Sequence, residues 1–294
     1  MLTFISGVLG VLDSLANRCF ADGTNAWTDV DHTCYTVGTA GEEGFLNLLP
    51  IYMDHILYPT LTDDAFHTEV HHITHEGCDA GVVYCEMEAR ENTGESLTHR
   101  TMMENLFKGS GYTSETGGLL ENLRSLTNKK VRDYHKAVYR PDNITIVIAG
   151  KMDFGNFERS MSKMEVKIES KGALPSMERP WSTPVPKLEE SVFKELSFAA
   201  DDESIGLVSI GWQGPGPNDF LEVEAIQLLG EYLAGSPVGP LQKELVELEE
   251  PLCGDIRLEF LEQTTCGLMI AASNVTVELI KEVLLVVGNA LPLF

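Results

Sequence analysis

Four prolines, Pro175, Pro180, Pro184 and Pro186, crowd the stretch from Lys171 to Lys187. Each locks its own φ and removes a backbone donor, so neither a helix nor an interior strand runs through this stretch easily. The segments on both sides mix helix-period and strand-period apolar patterns. The chain of 294 residues is also about twice the ~150 residues of an average domain, which disfavours one continuous core. The expectation is two consecutive domains: residues 1–170, a proline-rich linker at 171–190, and residues 191–294.

In the first half, Gly41–Leu57 sets Phe45, Leu48, Leu49, Tyr52, Met53 and Ile56 at helical spacing. Thr62 opens a second helix, with Asp63 and Asp64 in the first turn, where negative charge suits the helix dipole. Thr127 caps a third helix that runs to about Tyr139 and stops at Pro141. Asn143–Ala149 is a β-branched run and reads as a buried strand. The second half repeats the mixture. Strands are expected at Ile205–Trp212, Gly254–Phe260 and Thr265–Ala272, and helices at Phe220–Leu233, Val238–Leu248 and from Val275 to about Ala290. Two similar halves of this kind define an α+β fold of two layered domains. The ending, Leu-Pro-Leu-Phe, is no natural helix stop and implies a chain that halts inside its second domain.

The apolar run Met1–Leu12 lacks a basic n-region and a small-residue cleavage site. It falls short of the ~20 residues that span a bilayer, and reads as the buried start of a helix. Twenty-one Lys and Arg against 45 Asp and Glu leave a net charge of -24. That excludes nucleic-acid binding through a broad basic face. It would suit a basic or unfolded polypeptide partner, although an ordinary acidic globular protein is the commoner explanation of such a charge. The six cysteines are scattered without a C-x-x-C pair, which reads as reduced thiols and an intracellular compartment, cytoplasmic ahead of mitochondrial. The N-x-T sequons at Asn143 and Asn274 sit in apolar stretches and read as element edges rather than glycan sites.

His67, His71 and His75 are spaced by four and would form a ladder on one face of a continuous helix, with His72 and Glu76 beside them. Imidazoles at that spacing can share a metal. A surface histidine cluster is the commoner explanation of such a pattern, and Gly77 argues that the helix frays near His75. Neither H-E-x-x-H nor H-x-x-E-H occurs in the chain, and no G-x-x-x-x-G-K-S/T or G-x-S-x-G is present. Glu86 and Glu88 lie on an amphipathic segment after Val82-Val83-Tyr84, where a lone carboxylate is ordinarily a solvated helix residue.

Several blocks, in order, match a known family. Gly81-Val82-Val83-Tyr84-Cys85-Glu86-Met87 resembles the G-V-V-Y-x-E-M segment of the pitrilysin/insulinase zinc metallopeptidases, nearest to their presequence-protease-like, single-chain branch. Leu12–Arg18, Asn25-Ala26-Trp27-Thr28 with Asp31-His32-Thr33, Gly111–Gly118, Tyr139–Gly150 and Ile210–Pro215 resemble further blocks of that branch. The resemblance implies α+β domains, four per complete peptidase, closing around a chamber for unfolded peptides. It implies a zinc held by the two histidines of H-x-x-E-H and a distal glutamate, with the motif's own glutamate as general base. Glu86 matches the distal glutamate ligand. Asn25, Ala26, Trp27 and Thr28 match the edge strand that takes peptide by strand addition.

The departure from the family is equally specific. H-x-x-E-H belongs just before Leu12, and it is absent, so two zinc ligands and the catalytic base are missing. A catalytic zinc site needs three protein ligands and a water, so Glu86 alone holds no metal. The expectation is a homologue of a zinc endopeptidase for unfolded peptides, inactive as written and without zinc of its own. The alternative is a non-catalytic peptide-binding or scaffold subunit that pairs with an active half. A partial gene product with exposed apolar surface is a third reading.

Overall fold

The computed structural model describes residues 10–179 and 182–290. Most of the apolar amino-terminal run, Pro180 and the Leu-Pro-Leu-Phe ending therefore lie outside the described residues. The first elements are α1 (Val11–Arg18), β1 (Ala21–Thr28), β2 (Thr33–Thr39), α2 (Glu42–Leu57) and α3 (Asp63–Glu69). Next come β3 (His72–Ile73), β4 (Asp79–Ala80), α4 (Val82–Arg90) and α5 (Gly94–Leu106). They are followed by α6 (Leu120–Ser125), α7 (Asn128–Val138) and α8 (Phe154–Ser170). After the proline-rich stretch come β5 (Ile205–Gln213), α9 (Phe220–Ala234), α10 (Pro240–Leu245), β6 (Asp255–Leu261), β7 (Gly267–Thr276) and α11 (Ile280–Ala290). All strand pairs are antiparallel, which gives the mixed α+β architecture its small sheets.

The elements form two compact units, Met1–Glu88 with Thr116–Glu178, and Ala89–Glu115 with Arg179–Phe294. In the first unit β1 and β2 make a two-stranded sheet, and α2 packs beside α8. Leu12 and Ala16 of α1 are buried with Leu48, Tyr52 and Ile56 of α2. Pro50 lies inside α2, where it has no N–H to give to the carbonyl of Leu46. The Ser160 hydroxyl of α8 donates to that carbonyl at 2.5 Å, so the proline's missing bond becomes a tie between helices. Lys167 pairs with Asp54 along the same contact.

In the second unit β7 is the central strand, between β5 and β6. One sheet face carries Val208, Ile256, Ile270 and Ala272 into a core with Leu241, Leu245, Val283 and Val287 from α10 and α11. α5 packs on β5. The backbones come so close that Met102 Sδ lies 2.5 Å from where a Cβ on Gly211 would stand. Residues 89–115 accordingly group with the second unit.

Several expectations are corrected. The run Asn143–Ala149 forms no strand: it is extended at Ile144, yet pairs with no described strand, and Val147 is 88% exposed. β-branched composition expresses a fit to a pleated, half-buried surface, and that surface needs a neighbouring strand. The last helix starts at Ile280 rather than Val275, because Val275 is wholly buried and pairs with Gly206 in the sheet. The helix expected over 238–248 stops at Leu245, whose carbonyl accepts from Leu252 N–H at 2.8 Å as the chain turns back. The Thr62 and Thr127 caps form as expected, each side chain accepting from the N–H three residues on. The sequence reading missed α5 and α8, capped by Thr93 and Asp153.

Candidate functional site

Glu86 sits on α4, and the local sequence explains how that helix is held. Gly81 immediately precedes it with φ +133, a backbone shape that L side chains rarely adopt. A Cβ there would lie 2.5 Å from the Val70 carbonyl oxygen. Tyr84 and Met87, three apart, turn inward and are buried with Leu123, while Glu86 faces outward and is exposed.

Asp79, on β4, anchors the start of α4. His71 Nε2 donates to Asp79 Oδ1 at 2.6 Å, and Tyr84 hydroxyl donates to Oδ2 at 3.1 Å. Arg124 Nε and Nη2 each reach Oδ2 at 3.1 Å, and its guanidinium lies 5.1 Å from the centre of the Tyr84 ring. The His71 bond first, then those from Arg124, hold the Asp79 carboxyl down at about 2. A folded-state value below the ordinary 3.8 means that this group adds stability above that value and loses it as pH falls. The stability advantage of wild type over Asp79→Asn is therefore expected to shrink between about pH 4 and about pH 2. Urea titrations of both proteins measure it; a gap that stays constant across that window would sink the assignment.

The helical histidine ladder does not form, and the chain leaves the helix before His71. α3 ends at Glu69, and Val70 closes it by donating to the Phe66 carbonyl. Only His67 is helical. His71 turns to Asp79, His72 enters β3, and His75 stands 90% exposed in the turn that Gly77, at φ +82, permits. Among the described residues no group of three His, Cys, Asp or Glu is placed to hold a metal. Glu86 on its own thus does not fit a catalytic zinc, which needs three protein ligands.

Asn25, Ala26, Trp27 and Thr28 close β1. Ala26, Trp27 and Thr28 pair with Tyr35, Cys34 and Thr33 of β2, and the other edge of β1 has no strand neighbour among the described residues. Trp27 is half exposed, and Ala26 N–H is occupied by the Asn25 side-chain oxygen at 2.9 Å.

The second unit holds a feature that sequence reasoning missed, a cleft of about 390 Å³ on the sheet face opposite the core. Arg257 and Glu259 of β6 line it with Glu95 and His99 of α5, and with Arg90 and Glu115. Its arginines are paired, Arg90 with Glu115 at 3.2 Å and Arg257 with Glu259 at 2.5 Å. The residues come from segments far apart in sequence, so no local pattern announces the cleft.

The fold is shared with solved peptidase structures. A protease from Helicobacter pylori superposes with a TM-score of 0.77 at 18% identity, over 98% of this chain and 67% of that one. A peptidase M16 inactive domain from Pseudomonas fluorescens gives 0.72 at 17% identity, over the same shares of the two chains. The family model described as the Peptidase M16 inactive domain matches residues 125–288. The chain belongs to the peptidase M16 family, the pitrilysin/insulinase family that its sequence blocks resemble. An uncharacterised protein of Caenorhabditis elegans is 41% identical over 276 residues, 93% of this chain and 28% of that protein. The mitochondrial presequence protease of Xenopus laevis is 27% identical over 247 residues, 79% of this chain and 24% of that protein. The chain thus spans about a quarter of the length of these curated relatives.

Proposed function

We propose that this chain is a peptide-holding part of an M16-type chamber, one that binds extended, unfolded peptides without cleaving them. The observation that carries this reading is the one-sided pairing of β1. Asn25–Thr28 lie at the end of a strand whose second edge has no strand neighbour among the described residues, and such an edge takes an extended peptide largely independently of its sequence. The net charge of -24 favours basic peptides. Hydrolysis needs the two histidines and the general base of H-x-x-E-H, which this sequence does not contain. The six cysteines are free thiols, which supports an intracellular setting; separately, no described helix is long and apolar enough to cross a membrane.

Titration of the chain with a fluorescein-labelled basic, unfolded peptide is expected to raise anisotropy, with the peptide recovered intact by mass spectrometry. Trp27→Ala should weaken that binding about tenfold, as loss of an exposed aromatic anchor does. A chelator or Glu86→Gln should leave it unchanged. Cleaved peptide, or no binding by the unaltered chain, refutes the proposal.

A second reading rests on the exposed carboxylate of Glu86 on its anchored helix, and on the greater length of the relatives. In a polypeptide that also carries H-x-x-E-H, Glu86 would complete the zinc ligands of an active endopeptidase. One zinc per chain in that longer protein, lost in Glu86→Gln, distinguishes this reading from the first.

A further inference from the structure

α9 is apolar on two opposite faces, which is unusual for a helix at a surface. Its inner face packs on β6: Gly230, Leu233 and Ala234 are buried, and Leu258 side-chain atoms lie within about 3 Å of where a Gly230 Cβ would stand. Its outer face carries Leu221, Leu228 and Tyr232, which are 88%, 72% and 66% exposed. Spaced by seven and four, these three fall within about 40° of one another at 3.6 residues per turn. A surface helix ordinarily carries one apolar stripe, which it buries, so a second stripe on the opposite face is left in want of a cover.

The margin of the stripe indicates the cover. Glu224 and Glu231 are exposed along one side and Glu222 along the other, and α9 contains no Lys or Arg. A second copy would set glutamate against glutamate, between chains that each carry -24. A partner that is apolar along its centre and basic along its flanks satisfies both the stripe and its rim. We propose that Leu221, Leu228 and Tyr232 form a docking stripe for an amphipathic helix of a partner protein, flanked by Lys or Arg. This surface lies wholly within the second unit, so the inference stands apart from the peptide edge on β1.

The test uses the full chain and two designed, labelled amphipathic helices of about five turns. They share one leucine face and differ in having lysine or glutamate flanks. The lysine-flanked helix is expected to bind at least about tenfold more tightly than the glutamate-flanked one, with the difference shrinking as salt rises from about 0.05 M to about 0.5 M. Leu228→Ser with Tyr232→Ser should weaken the lysine-flanked helix about tenfold. Because both side chains are exposed, the variant should keep the circular dichroism of the wild type. Leu221→Ser is a second, independent probe of the same stripe and should also weaken binding. Equal binding of the two helices, or binding that neither variant changes, overturns the proposal. Self-association in sedimentation that Leu228→Ser abolishes also overturns it, by assigning the face to a second copy.

Discussion

Gly81→Val is expected to lower the unfolding free energy by about 3 kcal/mol or more, the combined scale of a disallowed backbone conformation and an overpacked contact. The φ of +133 is strained for any residue with a Cβ. The atom that Cβ would meet, the Val70 carbonyl oxygen at 2.5 Å, belongs to backbone and has no rotamer to swing away. Relief would shift the start of α4, and with it the Asp79–Tyr84–Arg124 cluster. Gly81→Ala should show most of the same loss, since the strain begins at Cβ. Urea unfolding followed by circular dichroism measures both variants. An alanine variant within about 0.5 kcal/mol of wild type, the range of an ordinary surface change, would show that this backbone conformation is not required.

Leu245→Ala is expected to cost about 2–5 kcal/mol, the range for deleting a buried leucine where the surroundings relax only partly. Leu245 is wholly buried at the end of α10, in the core it shares with Ile256, Val283 and Val287. Its carbonyl also receives Leu252 N–H at 2.8 Å and Cys253 N–H at 3.3 Å, so the surrounding backbone is held and collapses poorly into a cavity. The outward Leu228→Ser on α9 should stay within about 0.5 kcal/mol of wild type. Thermal and urea unfolding of the two variants together provide the check. Similar losses for both would mean that the α9 stripe is packed rather than open.

The sites differ in how much of them can be read in one dimension. The α4 segment is recognisable because its signals are local. Gly81, the inward Tyr84 and Met87 and the outward Glu86 fall within seven residues and match one family block. The network behind α4 has no such signature. His71, Asp79 and Tyr84 are near neighbours, but Arg124 arrives from 45 residues beyond Asp79 on α6. The histidines illustrate the opposite case, a pattern that sequence spacing creates and backbone geometry removes. A spacing of four means one face only while a helix lasts, and α3 ends before His71.

The sequence alone determined the α+β class, the helix caps at Thr62 and Thr127, most of the main elements of the second half, and the family. All of these depend on interactions within about one turn, or on side-chain periodicity along a single element. Tertiary structure decided the rest. It left Asn143–Ala149 without a strand neighbour among the described residues and carried β7 through Val275 to meet Gly206. It drew α5 onto β5 at Gly211, and it turned Leu221, Leu228 and Tyr232 of α9 outward. Each of these outcomes depends on which distant surface lies opposite, and apolar burial carries no direction until that surface is in place.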